Sequence, residues 1–417
     1  MFACVYQTGM NTQMKINRLG LLGDGVADGP VYAPRALPGE VVSGTLDGTR
    51  LTDIRIDDPS GDRVQAPCRH YKSCGGCQLQ HASDGFVAAW KQEIVETALY
   101  AQGLETELRP ILTSPGKSRR RATLAARRTK KGSMVGFYGR GSDVITEVPD
   151  CQLLDPALLA GLSVAGALAV LGGSRKGALA VTLTVCTAGL DVSVTGGKPL
   201  DGPLRQALAQ ATEAHGLARL SWDGEAIAMR ARPVQEFGGA QVLPPPGAFL
   251  QATKQGEAAL LAAIRETTDG AQQVADLFAG CGTFSLPLAA SAEVHAVEGD
   301  ALMTEALDQG WRMAAGLKPI TTESRDLFRR PLLPDELARF DAVVLDPPRA
   351  GAEAQVAELA QAKVPRIAYV SCNPVTFARD AKVLVAAGYD LNWVQVVDQF
   401  RWSAHTELAA SFTLSAG

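Results

Sequence analysis

The sequence predicts a multidomain chain: a small OB-like β-barrel over residues 1–60, a mainly β central domain over 61–246, and a doubly wound, Rossmann-like α/β domain over 247–417. Three observations carry this division. Short alternating segments broken by Gly, Asp and Pro open the chain, as in small antiparallel barrels. The run Pro244-Pro245-Pro246-Gly247 interrupts it, because three prolines continue neither a helix nor a sheet ladder. Beyond that run, strand, loop and helix patterns alternate to the end. With 417 residues and 46% hydrophobic side chains the chain can build several real cores. It shows no long apolar run and no basic-then-apolar leader, so we expect a cytoplasmic protein with no membrane segment. A net charge of −4 excludes a surface coated for non-specific polyanion binding, and any nucleic-acid contact must be a local patch.

In chain order, the barrel begins at residues 14–18 and continues through 23–27, 31–34 and 39–46. The residues before Met14 read as an extension, with Met10 and Met14 as alternative starts. Next come Cys68, Cys74 and Cys77, the last two in Cys74-Gly75-Gly76-Cys77, with Cys151 much later. Four thiols so spaced match a soft-metal site, zinc or iron–sulfur equally, and the glycines let the backbone fold tightly around it. Disulfides are the weaker reading for a chain without a leader. Over 84–102 the apolar residues Phe86, Val87, Trp90, Ile94, Val95, Ala98 and Leu99 recur at helical spacing, predicting an amphipathic helix packed behind the cysteines. Lys117, Arg119, Arg120, Arg121, Arg127, Arg128, Lys130 and Lys131 lie in an acid-free stretch around the apolar residues 122–126. A strand with basic ends is expected, either the local polyanion patch the net charge requires or a solvated charged hairpin. Residues 178–186 and 190–195 predict a hairpin, 203–215 a helix, and Cys186 a core position.

In the last domain, strands are expected over 274–278, 294–298, 340–345 and 366–371. The Ala279-Gly280-Cys281-Gly282-Thr283 loop lets a nucleoside approach the backbone, and Glu298, ending the second strand, is placed to accept from ribose hydroxyls. NAD enzymes share this loop, but Leu286 stands where a dinucleotide site has its third small residue, which disfavours a pyrophosphate; S-adenosylmethionine, which has no phosphates, needs no such residue. Cys281 reads as a packing residue. Leu345-Asp346-Pro347-Pro348-Arg349 makes a rigid edge at a strand end, where Asp346 could hold a flipped base. In Val370-Ser371-Cys372-Asn373-Pro374 a thiol sits at the mouth of a strand, where open α/β sheets place their ligands.

Taken together, the run from Cys74 to His81 with Cys68 and Cys151, the Asp346–Arg349 segment and Ser371-Cys372-Asn373-Pro374 resemble the bacterial RNA uracil-5-methyltransferases. The likeness is greatest to the 23S ribosomal RNA branch, whose members carry an N-terminal TRAM domain and a [4Fe–4S] cluster. The likeness spans essentially the whole chain. It implies Cys68, Cys74, Cys77 and Cys151 as cluster ligands, Cys372 as the nucleophile that adds to uracil C6, and Glu407, in His405-Thr406-Glu407, as the general base. It further implies Asp346 and Arg349 as substrate-binding residues, and Gln251, Phe284, Glu298, Asp326 and Asp346 as cofactor-binding ones. The chain departs from the family at Ser118 to Arg121, at Thr253 and at Trp402 to Ala404. The implied activity is methylation of a uridine C5 in structured RNA, 23S ribosomal RNA first, by a monomer. Transfer-RNA uridine methylation, RNA cytosine-5 methylation and a non-catalytic, cluster-bearing RNA-binding factor are the alternatives.

Overall fold

In the computed structural model, which describes residues 11–415, the opening alternation becomes a six-stranded sheet. Its order is Asn11–Lys15, Val41–Asp47, Arg50–Asp58, Val31–Ala33, Gly25–Ala27, Arg18–Leu19. The inward side chains, Ile16, Val31, Val42 and Leu51 among them, form a small separate core. The strand expected over 14–18 is divided: Ile16 N–H donates to Glu40 O and Asn17 N–H to Val26 O, both 2.9 Å, so the chain changes partner there. Of the residues read as an extension, 11–13 instead belong to the first strand, paired with Thr45, Gly44 and Ser43, while 1–10 lie outside the described residues.

The central segment forms a seven-stranded sheet: Ile145–Glu147, Ser133–Tyr138, Arg121–Arg128, Leu179–Cys186, Gly189–Thr195, Arg219–Trp222, Glu225–Met229. The predicted hairpin pairs Ala180 with Thr195 through Cys186 with Gly189. Helix Pro156–Gly172 begins with Asp155 accepting from Ala157 N–H (2.8 Å). Leu158, Val164 and Leu168 of this helix pack on Leu124, Val181 and Val192 of the sheet.

The basic strand differs from expectation. Arg120 pairs with Glu257 and donates Nε–H to Gln251 O (3.1 Å), and Arg121 donates to Gly247 O (2.9 Å). The first arginine group is therefore a tie between the central and C-terminal segments. The second group, Arg127 to Lys131, keeps its access to solvent. A guanidinium can serve both ends because its long stem packs along apolar surface while its fork seeks oxygens.

The C-terminal sheet has eight strands in the order Ile320–Ser324, Glu293–Glu298, Gln273–Leu277, Ala342–Leu345, Arg366–Ser371, Glu407–Leu414, Tyr389–Asp398, Glu107–Thr113. The first five run parallel, and Glu407–Leu414 is antiparallel to both neighbours. The outermost strand is contributed by the segment read as central, and it joins parallel to Tyr389–Asp398. Helix Asp84–Tyr100 makes the same crossing. Its first half, Val87 and Trp90, packs on Leu79 and Ala82 beside the cysteine run, as expected. Its second half, Val95 and Leu99, enters the core of the C-terminal sheet with Leu345, Tyr369 and Phe377. Among the described residues, no helix is long and apolar enough to cross a membrane.

Candidate active site

Strand ends assemble the site. The pairing of Arg366–Ser371 with Glu407–Leu414 runs from Arg366 opposite Thr413 to Ser371 opposite Leu408. One residue beyond the last paired position stand Cys372 and Glu407, near enough for the Glu407 charge to act on the Cys372 thiol. On the other side, Leu345 pairs with Tyr369, so Asp346 leaves its strand at the same edge. The Asp346–Arg349 turn is tied to the turn that follows Cys372: Asn373 Nδ2–H donates to Arg349 O (2.9 Å) and Thr376 Oγ1–H to the same oxygen (3.2 Å). Asn373 also caps helix Pro374–Ala386 by accepting from Val375 N–H (3.2 Å), with Pro374 in its first turn. The thiol, the carboxylate and the proline-rich edge therefore sit on one rigid rim.

The cofactor loop adjoins it. Gly280 and Gly282 take φ of +56° and +92°, and a Cβ on Gly282 would lie 2.8 Å from Leu307 Cγ. Glu298 holds the loop by accepting from Gly280 N–H and Asp300 N–H, both 3.0 Å. Gln251 is 2% exposed and donates Nε2–H to Asp346 Oδ2 (3.3 Å). Asp326 is exposed and accepts from Phe328 N–H (3.0 Å). Phe284 departs from expectation: at 2% exposure it is packed in the core with Leu286 and Leu307, so it offers no open face. The aromatic beside the loop is Phe278, held at φ +64° and packed on the exposed Phe328 at 5.5 Å between ring centres. Cys281 is buried, the packing residue expected.

The electrostatics are acidic. Burial pushes Glu407 up to about 7, opposed by the Gln399 amide. Burial, then the charges of Glu407, Asp276 and Glu298, hold Asp346 well above the usual carboxylate range. Burial also raises Cys372, helped by Glu407 and Asp346 and opposed by Arg349. Asp276 is raised to about 7 by burial; its Oδ2 accepts from Ser285 Oγ–H (2.5 Å), while Oδ1 has no partner among the described residues. Four carboxyl groups crowd this region against one exposed arginine, so a bound sulfonium cation would offset their mutual repulsion and a pyrophosphate would add to it. This charge pattern fits S-adenosylmethionine.

The reading of the sequence missed Asp276, Gln399 and Lys91. An acid inside the apolar strand Gln273–Leu277 was the available signal for the first. Lys91 is fully buried, and its ammonium donates to Asp398 Oδ1 (2.6 Å), His405 O (2.9 Å) and Phe400 O (3.2 Å), fastening the loop ahead of Glu407.

Away from the cleft, Cys68, Cys74, Cys77 and Cys151 line one cavity of about 300 Å³ with Arg119 and Arg121. Among the described residues, no three His, Cys, Asp or Glu side chains converge as a single metal ion requires.

The family model for tRNA (uracil-5-)-methyltransferase matches residues 311–413. An RNA methyltransferase of Rhizobium meliloti is 44% identical over 405 residues, covering 95% of this chain and 98% of its own. The 23S rRNA (uracil(1939)-C(5))-methyltransferase of Shewanella piezotolerans is 32% identical, covering 98% of this chain and 97% of its own. The fold is that of the Pyrococcus abyssi tRNA (uracil-54, C5)-methyltransferase in complex with S-adenosyl-L-homocysteine, with a TM-score of 0.76 at 22% identity over 96% of this chain and 99% of that one. On this likeness to relatives matched over nearly their whole length, the chain belongs to the S-adenosylmethionine-dependent RNA (uracil-5-)-methyltransferases.

Proposed function

We propose that this enzyme methylates a uridine of 23S ribosomal RNA through a covalent adduct between Cys372 and uracil C6. The observation that carries the mechanism is the cross-strand placement of Cys372 beside Glu407, facing Asp346. S-adenosylmethionine, when bound, supplies an electrophilic methyl group. Uracil C5 is too weak a nucleophile on its own. Cys372, its thiol proton released to solvent, adds as thiolate to C6, the electron pair moves to C5 and O4 as an enolate, and C5 takes the methyl, leaving S-adenosylhomocysteine. Glu407 then removes the C5 proton, the C5–C6 double bond reforms, and Cys372 leaves as thiolate. Asp346 and Arg349 hold the base and its enolate. Gln251, Glu298, Asp326 and Asp346 face the cofactor. The 23S assignment rests on the ribosomal-RNA relative, which is more similar in sequence than the transfer-RNA structural neighbour.

In the same reading residues 1–60 form a TRAM domain, 61–246 the RNA-binding centre and 247–417 the methyltransferase domain. Cys68, Cys74, Cys77 and Cys151 hold a [4Fe–4S] cluster. What supports this reading is the one cavity that all four cysteines line. We expect anaerobically purified protein to contain about four irons per chain; protein without iron would remove the cluster from the reading.

The catalytic reading is tested with 23S ribosomal and transfer RNA transcripts carrying 5-fluorouridine. Fluorine at C5 cannot leave as a proton, so the expected product is a denaturant-stable methylated adduct at Cys372, formed on the ribosomal transcript. Adduct on transfer RNA alone would reassign the substrate, and none on either would defeat the covalent mechanism.

A further inference from the structure

The loop between Tyr389–Asp398 and Glu407–Leu414 carries Gln399, which is 3% exposed. Its amide nitrogen donates to Gln251 Oε1 (2.5 Å) and to Glu407 Oε2, and its carbonyl oxygen accepts from Ala252 N–H (2.7 Å) and, more weakly, Thr253 N–H (3.4 Å). A primary amide has two donors and two lone pairs, and all four are engaged. The polarity follows, because turning the amide over would set its oxygen against a carbonyl and a carboxylate. With Gln251 Oε1 taken, Gln251 must present its own N–H to Asp346. Two amides therefore bridge the Glu407 and Asp346 carboxyl groups, with donation running outward from Gln399, to Glu407 on one side and through Gln251 to Asp346 on the other. The bridge is braced from behind: a Cβ on Gly256 would lie 2.7 Å from Gln399 Cβ.

We propose that Gln399 is a positioning residue that aims the Glu407 carboxylate and locks Gln251, so that proton removal and cofactor binding share one hydrogen-bonded support. This rests on Glu407 acting as base and Gln251 as cofactor ligand. The amide is also the contact that opposes the effect of burial on Glu407. Asp346 and Cys372 are the titratable groups facing Glu407 across the site, and Arg349 faces Cys372.

The test compares Gln399→Leu, Gln399→Glu and Glu407→Gln in single turnovers on unmodified RNA, measuring breakdown of the methylated covalent adduct and affinity for S-adenosylhomocysteine. Gln399→Leu is expected to slow adduct breakdown at least about tenfold, within the range a positioned base supplies. It should also weaken S-adenosylhomocysteine binding about fivefold, the effect of one lost hydrogen bond. Gln399→Glu keeps the shape but donates only while protonated. Its adduct breakdown should fall with rising pH, where the wild type rises, and a residue that merely fills space would not reverse that slope. If Glu407→Gln traps the adduct while both Gln399 variants break it down like wild type and bind the cofactor product normally, the proposal is wrong and the assignment of the base stands. If Glu407→Gln itself releases product at the wild-type rate, the base assignment fails and takes the proposal with it. Should Gln399→Leu not fold, the pH slope of Gln399→Glu decides alone.

Discussion

In the cleft, the candidate groups are placed by strand register: one antiparallel pairing ends one residue short of Cys372 and Glu407, and one parallel pairing brings Asp346 to the same edge. In the cysteine cavity they are placed by turns. Cys74 N–H donates to His70 O (2.8 Å), Gly75 N–H to Tyr138 O (2.9 Å), Cys68 N–H to Gln80 Oε1 (3.1 Å) and Cys151 N–H to Val148 O (3.2 Å). The Glu407 and Asp346 carboxyls are linked to one another by amides, whereas the cysteine sulfurs take a few local contacts, such as Gly76 N–H on Cys74 Sγ (3.4 Å) and the Gln80 side chain on Cys77. A sheet holds geometry through a ladder of many bonds, and turns hold it through a few. The cleft should therefore tolerate loss of one functional side chain without loss of shape.

The largest effect tests that tolerance. Cys372→Ala should lower turnover by at least about 10⁴-fold, the scale of removing a covalent nucleophile, and abolish the adduct. Affinity for S-adenosylhomocysteine should stay within about twofold, because the Gln251 and Glu298 bonds do not pass through the thiol. A variant that loses the cofactor product as well would show that the cleft is not preorganised in this way.

Lys91→Met attacks the contact between the two regions. Lys91 comes from the helix behind the cysteine run, and it holds Asp398, Phe400 O and His405 O of the loop that leads to Glu407. The substitution leaves Asp398 buried and unpaired, so a loss of about 3–5 kcal/mol is expected in urea unfolding. Lys91→Met combined with Asp398→Asn should regain much of it. Equal destabilisation in the single and double variants would mean the pair is not coupled.

The next effect is one of pH. Burial raises Glu407 from 4.5 to about 7, so the folded protein keeps a proton the unfolded chain has released. That contribution is complete below pH 4.5 and disappears as pH rises to about 7, amounting to about 3 kcal/mol. Glu407→Gln removes the titration. Its stability relative to wild type should climb across this window and level off above it. A difference that does not change with pH would mean the carboxyl is ionised throughout.

What could be read in advance follows the same division. The 366–371 strand and the thiol at its mouth were legible, because a short apolar run ending in Ser371-Cys372-Asn373-Pro374 has one natural reading in an α/β sheet. The cysteines were legible by spacing. Helix 84–100 was legible as a helix, but its two partners were not, since an apolar stripe states that a face is buried and not against what. The strand Glu107–Thr113 and the bridge through Gln399 were invisible for a related reason: both depend on contacts nearly 300 and 150 residues apart. Phe284 was placed at the cofactor by likeness of motif, while the positive φ that turns Phe278 outward has no sequence signature in a phenylalanine.

The smallest expected effect concerns the divided basic strand. Arg119 to Arg121 lie inside, and Arg120 is neutralised by Glu257, so they add little to the outer field. Arg127, Arg128, Lys130 and Lys131 keep solvent access and, among the described residues, form no ion pair with an acid. If these four meet RNA phosphates, replacing Lys130 and Lys131 by Gln removes two contacts. Binding should weaken a few-fold near physiological salt, similarly for cognate and unrelated RNA, and the slope of log affinity against log salt should shrink by about 1–2. Adduct breakdown should not change, because neither lysine reaches the cleft rim. Arg120→Gln should do the reverse, leaving the salt slope intact while lowering stability, since it uncovers Glu257 at the junction of the two segments. Salt slopes that respond equally to both substitutions would mean that the inward arginines also contact RNA, and the tie would have to open when substrate binds.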